Sequence, residues 1–323
     1  MNPPYRITDK VLDLISKASV VLGKIQASPD TVPAPKLRKK NRVKTIQGTL
    51  SIEGNTLSLE QVTGIIEHRP VIGPPGEILE VNNAIKAYDR MSRYESNSEK
   101  LFMMAHKDLM SGVISDAGKY RSKNVGIIAG KAVSHIAPQP KMVPRLMKDL
   151  FSYLKKNKKE NPFIKSSVFH YELELIHPFS DGNGRMGRLW QTLILKEFSP
   201  LFLYVPLESV IREHQSGYYD ALAKSDREGE STLFVEFMSE IIYKSLEVFY
   251  KEFRPPVGTA KTRLETAKAH FKERKFKRLD YLELFKSVST ATASRDLKYA
   301  VDNNILFKKG DKRLAEYRFT HER

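Results

Sequence analysis

A mainly helical protein with one small β-hairpin is what this 323-residue chain predicts. Three observations carry that reading. Apolar residues recur at helical spacing through roughly the first 250 positions, prolines and glycines punctuate them, and only one stretch alternates with the two-residue period of a strand. With 41% apolar residues the chain can bury a sizeable core and build more than one domain.

The helical periodicity runs over 8–26, 58–67, 78–94, 98–110, 141–156, 163–176, 185–198, 208–224 and 231–252. Breaks fall at Pro33-Ala34-Pro35, at Pro70 to Gly76 and at Glu160-Asn161-Pro162, where proline's fixed φ and missing N–H stop a helix. The basic runs Lys36 to Lys44 and Lys155 to Lys159 read as solvated surface first and partner patches second. Gly118 to Ile127 leads into the alternating stretch, which Ile136-Ala137-Pro138-Gln139-Pro140 closes, giving a short hairpin ended by prolines. These breaks divide the chain into an N-terminal helical region (1–95), a helical core (96–252), a linker (253–260) around Arg254-Pro255-Pro256-Val257-Gly258, and a C-terminal segment (261–323).

That last segment holds 17 Lys/Arg against 9 Asp/Glu, so half of the chain's net charge of +16 sits in a fifth of its length. It reads as a helix to Lys277, a short helix over Asp280 to Ser287, a helix over Ala291 to Asn303, and strands over Ile305 to Lys308 and Ala315 to Phe319 around Gly310-Asp311-Lys312. This order resembles a winged helix. In that fold Thr290, Thr292, Ser294, Arg295 and Lys298 would lie at the start and along the exposed face of the second helix, within reach of DNA. A basic surplus gives affinity for polyanions without specificity, and such a segment serves equally as a protein-docking or dimer module.

Composition excludes some chemistry. Without cysteine there is no disulfide, thiolate metal site or cysteine nucleophile. With no bilayer-spanning apolar run and no basic-then-apolar leader, the expectation is a cytoplasmic protein without a membrane partner.

The densest chemistry lies in His177-Pro178-Phe179-Ser180-Asp181-Gly182-Asn183-Gly184-Arg185-Met186-Gly187-Arg188. Asp-Gly-Asn-Gly lets successive backbone N–H groups converge at the start of a helix, whose dipole favours anions. Arg185 and Arg188, three apart on that helix, can hold phosphate oxygens with their planar forks. Asp181 offers a hard oxygen to Mg2+. His177 titrates near neutrality and can take a proton from a hydroxyl. Each feature alone is commonly a turn or a solvated face; their coincidence in twelve residues is what points to a nucleotide site.

From His177 to Arg188 the chain matches His-x-Phe-x-Asp-Gly-Asn-Gly-Arg-x-x-Arg, which resembles the signature of the Fic family of AMP-transferring enzymes. The resemblance implies a Fic-type helical bundle in which the hairpin is a flap that clamps the target segment. It implies ATP as substrate, Mg2+ as cofactor on Asp181, and a protein hydroxyl of Ser, Thr or Tyr as acceptor, self-modification included. His177 becomes the base. Asp181, Gly182, Asn183, Gly184, Arg185, Met186, Gly187 and Arg188 form the nucleotide seat, and Phe179 packs beneath the loop.

Upstream, Thr49-Leu50-Ser51-Ile52-Glu53-Gly54-Asn55 is similar to the family's inhibitory helix, which would set Glu53 against Arg188. Read locally, Glu53-Gly54-Asn55 is also an ordinary helix C-terminus, and both readings can hold together. Ser216 to Leu222 resembles the helix bordering the adenine, with Tyr218 or Tyr219 beside the base. A homodimer is also in keeping with the family. Two other functions stay open: a nucleotide-sensing DNA-binding regulator, and a phosphodiesterase that removes AMP with Glu53 orienting a water.

Overall fold

The computed structural model describes residues 3–27, 33–129, 132–253, 259–285, 288–311 and 315–320. They divide into two compact units, one of residues 1–24 with 35–251, the other of 25–34 with 252–323. The linker residues Arg254 to Gly258 and Lys312 fall outside the described residues. No helix among the described residues is long and apolar enough to cross a membrane.

In the first unit, α1 (Asp9–Gln26) and α2 (Pro35–Ile52) precede α3 (Leu59–Ile66), α4 (Pro75–Asp89) and α5 (Glu99–Met110). A two-stranded antiparallel hairpin, β1 (Gly126–Ala129) and β2 (Ala132–Ile136), stands where alternation predicts one, with Gly126 opposite Ile136 and Ala129 opposite Ala132. Then come α6 (Val143–Lys156), α7 (Pro162–Ile176), α8 (Asn183–Phe198), α9 (Leu207–Glu213), α10 (Gln215–Glu228) and α11 (Thr232–Glu252). Helices α7 and α8 are buried on nearly every face and form the centre of the unit. Beneath the loop joining them, Phe179 stacks on Phe102 and on the His106 ring, whose centroid is 3.5 Å away. Trp190 meets Phe102 edge to face. Such aromatic pairs add about 0.5–1.5 kcal/mol each beyond area burial, so the loop sits on a stiff floor.

Two expectations need correction. The helix expected over 208–224 is two helices, because His214 leaves helical geometry at φ −117°, ψ 29° and turns the chain between α9 and α10. The periodic reading also passed over α2, in which Asn41, Gln47, Gly48 and Thr49 are buried beside Val43, Ile46 and Leu50. A helix whose covered side is partly polar shows no apolar stripe.

Helix α2 packs tightly on α9. A Cβ added at Gly48 would lie 2.8 Å from the backbone carbon of Glu208 and 2.8 Å from the nitrogen of Ser209. Backbone cannot yield as a side-chain tip can, so Gly48→Ala is expected to cost about 1–3 kcal/mol by overpacking. A fall in the thermal midpoint checks it, and an unchanged midpoint would show that α2 can shift freely.

The second unit contains α12 (Ala260–Phe271), β3 (Phe276–Lys277), α13 (Arg278–Leu284), α14 (Thr290–Asp302), β4 (Leu306–Lys309) and β5 (Glu316–Phe319). The sheet order is β3-β5-β4, antiparallel throughout. The helix expected to reach Lys277 stops at Phe271, since Lys272 takes φ +51°, and the chain then adds strand β3. Asp296 on α14 accepts from Arg263 Nε and Nη2 at 2.6 and 2.7 Å and from Tyr281 Oη at 3.2 Å, joining all three helices. Of the residues proposed to face a partner, Thr290, Arg295 and Lys298 are exposed, while Thr292 and Ser294 are half-buried.

Candidate active site

Helix α7 ends at His177, whose φ of 49° and ψ of 62° put it in the left-handed cap position. That cap turns the imidazole-bearing residue out of the helix and starts the loop. The loop closes on itself through Asn183, which accepts from Phe179 N–H at 2.9 Å and donates to Phe179 O at 3.0 Å. Asn183, 2% exposed, therefore spends its side chain on the shape of the loop. Gly182, at φ +86°, makes the turn into α8, a conformation that side-chain-bearing residues seldom take. The first intrahelical bond is Met186 N–H to Gly182 O at 3.0 Å, and Gly182 N–H donates to Asp181 Oδ1 at 2.5 Å, so the N–H groups of the first turn of α8 after Gly182 are the ones suited to an anion. Within the motif, Met186 is fully buried in the core, and Gly187 lies against the ring of His170; both shape α8 from behind the seat.

Arg185 and Arg188 are both buried and both held by acids. Arg188 Nη2 donates to Glu53 Oε1 at 2.6 Å and to Thr49 O at 3.0 Å, and its Nε donates to Thr49 Oγ1 at 3.1 Å. Burial alone would lower the arginine's pKa, but Glu53 first, with Tyr218 and Glu174, outweighs it, so the guanidinium is held firmly charged. Arg185 Nη1 donates to Glu80 Oε1 at 2.8 Å and Nη2 to Asp181 Oδ1 at 3.1 Å. Asp181 is half-exposed. One accessible hard oxygen at the mouth of an anion seat suits a Mg2+ ion bound mainly through water and phosphate; the described residues hold no cluster of three or more potential ligands.

The two tyrosines of α10 part company. Tyr218 is buried, with its hydroxyl 3.0 Å from His170 Nε2, so as it stands it has no face for a base. Tyr219 is 45% exposed and its hydroxyl donates to Ile52 O at 3.3 Å, next to Glu53.

Three residues that sequence reasoning missed shape this site. Buried Arg121 donates from Nε to His177 O at 2.7 Å, from Nη1 to Lys123 O at 2.9 Å and from Nη2 to Pro138 O at 2.5 Å. It fixes the backbone of the histidine and both roots of the hairpin. His106 accepts from Gly118 N–H at Nδ1 (2.8 Å), which leaves Nε2–H to donate to Asp181 O (2.9 Å). Glu80 holds Arg185, as above. Each works through contacts distant in sequence, and Arg121 alone had a signal, lying in the hairpin's approach.

Burial pushes the His106 imidazole down to about 4 from its ordinary 6.5. The unfolded chain takes up the proton first as pH falls, so this contribution to stability is complete above pH 6.5 and is lost on the way down to about 4. The loss is on the order of 3 kcal/mol. Thermal melts between pH 7 and 4.5 are expected to show it, with a shallower fall in His106→Gln; equal slopes would remove His106 as a cause.

The first unit is a helical bundle whose central helix α8 opens on a glycine turn, five residues after a histidine in a left-handed cap. Residues 96–195 match the Fic/DOC family. Over its full length the chain is similar to a Fic family protein from Desulfovibrio desulfuricans G20, at 37% identity and a TM-score of 0.75, covering 100% of this chain and 99% of that one. The chain belongs to the Fic family. The 134–508 segment of Fic-1 from Caenorhabditis elegans shares the fold, with a TM-score of 0.61 at 21% identity over 75% of this chain and 72% of that one. Curated relatives include the protein adenylyltransferase Fic of Aedes aegypti, 28% identical over 65% of this chain and 42% of that protein, and that of Nematostella vectensis, 26% identical over 77% and 60%. The chain spans about half the length of the curated relatives it matches.

Proposed function

We propose that this protein transfers AMP from ATP to a Ser, Thr or Tyr hydroxyl of a protein, itself included, and that Glu53 restrains it by occupying Arg188. The observation that carries this reading is the convergence, within one loop and helix, of His177, the opening turn of α8 and two buried guanidiniums, with the acid of a distant helix bound to the second. Relatives named protein adenylyltransferase support the same chemistry.

His177 takes the proton of the attacking hydroxyl while its oxygen forms a bond to the α-phosphorus. The bond from that phosphorus to the bridging oxygen breaks in line, and pyrophosphate leaves with the electron pair. The amides opening α8 and the two arginines hold the outer phosphates, positioning the α-phosphorus for this attack. Asp181 would hold Mg2+, which when bound supplies charge neutralisation to the phosphates. The hairpin β1–β2 offers backbone pairing to an extended target segment, which requires little of its sequence. With Glu53 on Arg188, the outer phosphates lose one fork and the α-phosphorus is not aligned.

Incubation with Mg2+ and ATP labelled at either the α- or the γ-phosphorus tests the reading. Label retained on protein from the α position only supports AMP transfer; label from the γ position would indicate phosphorylation and overturn it. The second unit presents Thr290, Arg295 and Lys298 outward on α14, and we assign it to docking of DNA or protein.

A further inference from the structure

The motif's first arginine is restrained as firmly as its second, by a residue that lies in α4. Arg185 is almost wholly buried and donates from Nη1 to Glu80 Oε1 at 2.8 Å. Its Nη2 engages Asp181, and its buried Nε has no hydrogen-bond partner among the described residues. The other oxygen of Glu80 accepts from Asn55 Nδ2 at 2.9 Å, and the same amide donates to Glu77 O at 3.2 Å. Asn55 stands two residues after Glu53, in the corner that closes α2. Glu77 fixes that corner again by accepting from Thr56 N–H at 2.7 Å. Glu53 therefore holds one guanidinium, Glu80 together with Asp181 holds the other, and one asparagine ties Glu80 to the segment that carries Glu53.

We infer that Glu80 is a positioning residue that withholds Arg185 from the outer phosphates of the nucleotide, acting as a second restraint beside Glu53. A guanidinium fork that serves a carboxylate cannot serve a phosphate in the same geometry. Because Asn55 links Glu80 to the corner beyond α2, movement of that corner loosens the grip on Arg185 as well as on Arg188. An effector that lifts Glu53 thus frees both arginines, whereas removal of the Glu53 side chain alone leaves Arg185 engaged.

The inference deepens the transfer reading and depends on it only in that the seat takes a triphosphate, so its test reads binding rather than turnover. Calorimetry on the full chain compares ATP with Mg2+ against AMP. Glu80→Gln keeps the volume and removes the charge; it is expected to tighten ATP about tenfold, the worth of one charge-assisted hydrogen bond, with AMP unchanged. The gain is expected to persist in the Glu53→Gly background. Asn55→Ala, which leaves no charge unpaired, is expected to move ATP affinity the same way by less, and it keeps the test open should Glu80→Gln fail to fold. Weaker ATP binding, or equal changes for ATP and AMP, would overturn the role of Glu80. ATP that binds the Glu53→Gly variant without labelling protein would overturn the transfer reading alone, and ATP that binds no variant would overturn both.

Discussion

His177→Ala is expected to lower AMP transfer by about 10²–10⁴-fold, the usual worth of a positioned general base, while ATP affinity stays within about twofold of the parent. The two effects separate because the proposed reaction gives the imidazole the proton and gives the phosphates to the α8 amides and the arginines. Truncation at this position also removes a side chain from a left-handed cap, where φ is 49°. His177→Asn serves as the companion variant, since asparagine adopts that conformation more readily than most residues and cannot act as the base. Equal loss in both variants, measured as label per minute from α-labelled ATP, supports the base assignment. Transfer retained in either would place the base elsewhere.

Glu53→Gly is expected to raise self-labelling by about ten- to a hundredfold, as removal of a charge-assisted bond to a buried guanidinium implies. The same substitution leaves Arg188, 1% exposed, without its carboxylate. An unpaired buried charge destabilises by about 3–5 kcal/mol, so the variant is expected to melt earlier and to be rescued by ATP more than the parent is. Unchanged labelling would show that the Glu53–Arg188 pair is structural only. A rise in labelling without the larger rescue would mean that the phosphates do not replace Glu53 on Arg188.

How far the site was legible follows from where its chemistry sits along the chain. His177, Asp181, Gly182 and both arginines could be read because one loop carries them in a spacing that serves an anion. Glu53 could be read as the partner of Arg188 only through family resemblance, since 135 positions separate the two. Only the end of helix α2, at Glu53-Gly54-Asn55, is legible; its body is not, because Asn41, Gln47 and Thr49 occupy its covered side and the periodicity that betrays a helix counts only apolar residues. Two of the expected site residues also serve the fold: the Asn183 side chain clasps the loop through Phe179, and the Tyr218 ring is buried in the core. His106 and Glu80 carry no sequence signal, and Arg121 only its place in the hairpin's approach, for a common reason: each acts on backbone or charge that the fold brings up from far along the sequence. The rest of the helical architecture and the hairpin, by contrast, depend on short-range pattern, and apart from α2 the reading departs from the structure at local events such as the break at His214 and the stop at Lys272.

Arg121 carries a mechanical implication. One planar cation moors the carbonyl of His177 and the carbonyls at either foot of the hairpin, Lys123 and Pro138. Under the proposed reaction, a peptide that pulls on the hairpin pulls on the imidazole's anchor as well, so that one hinge pin joins the grasp of a visiting chain to the aim of the proton acceptor.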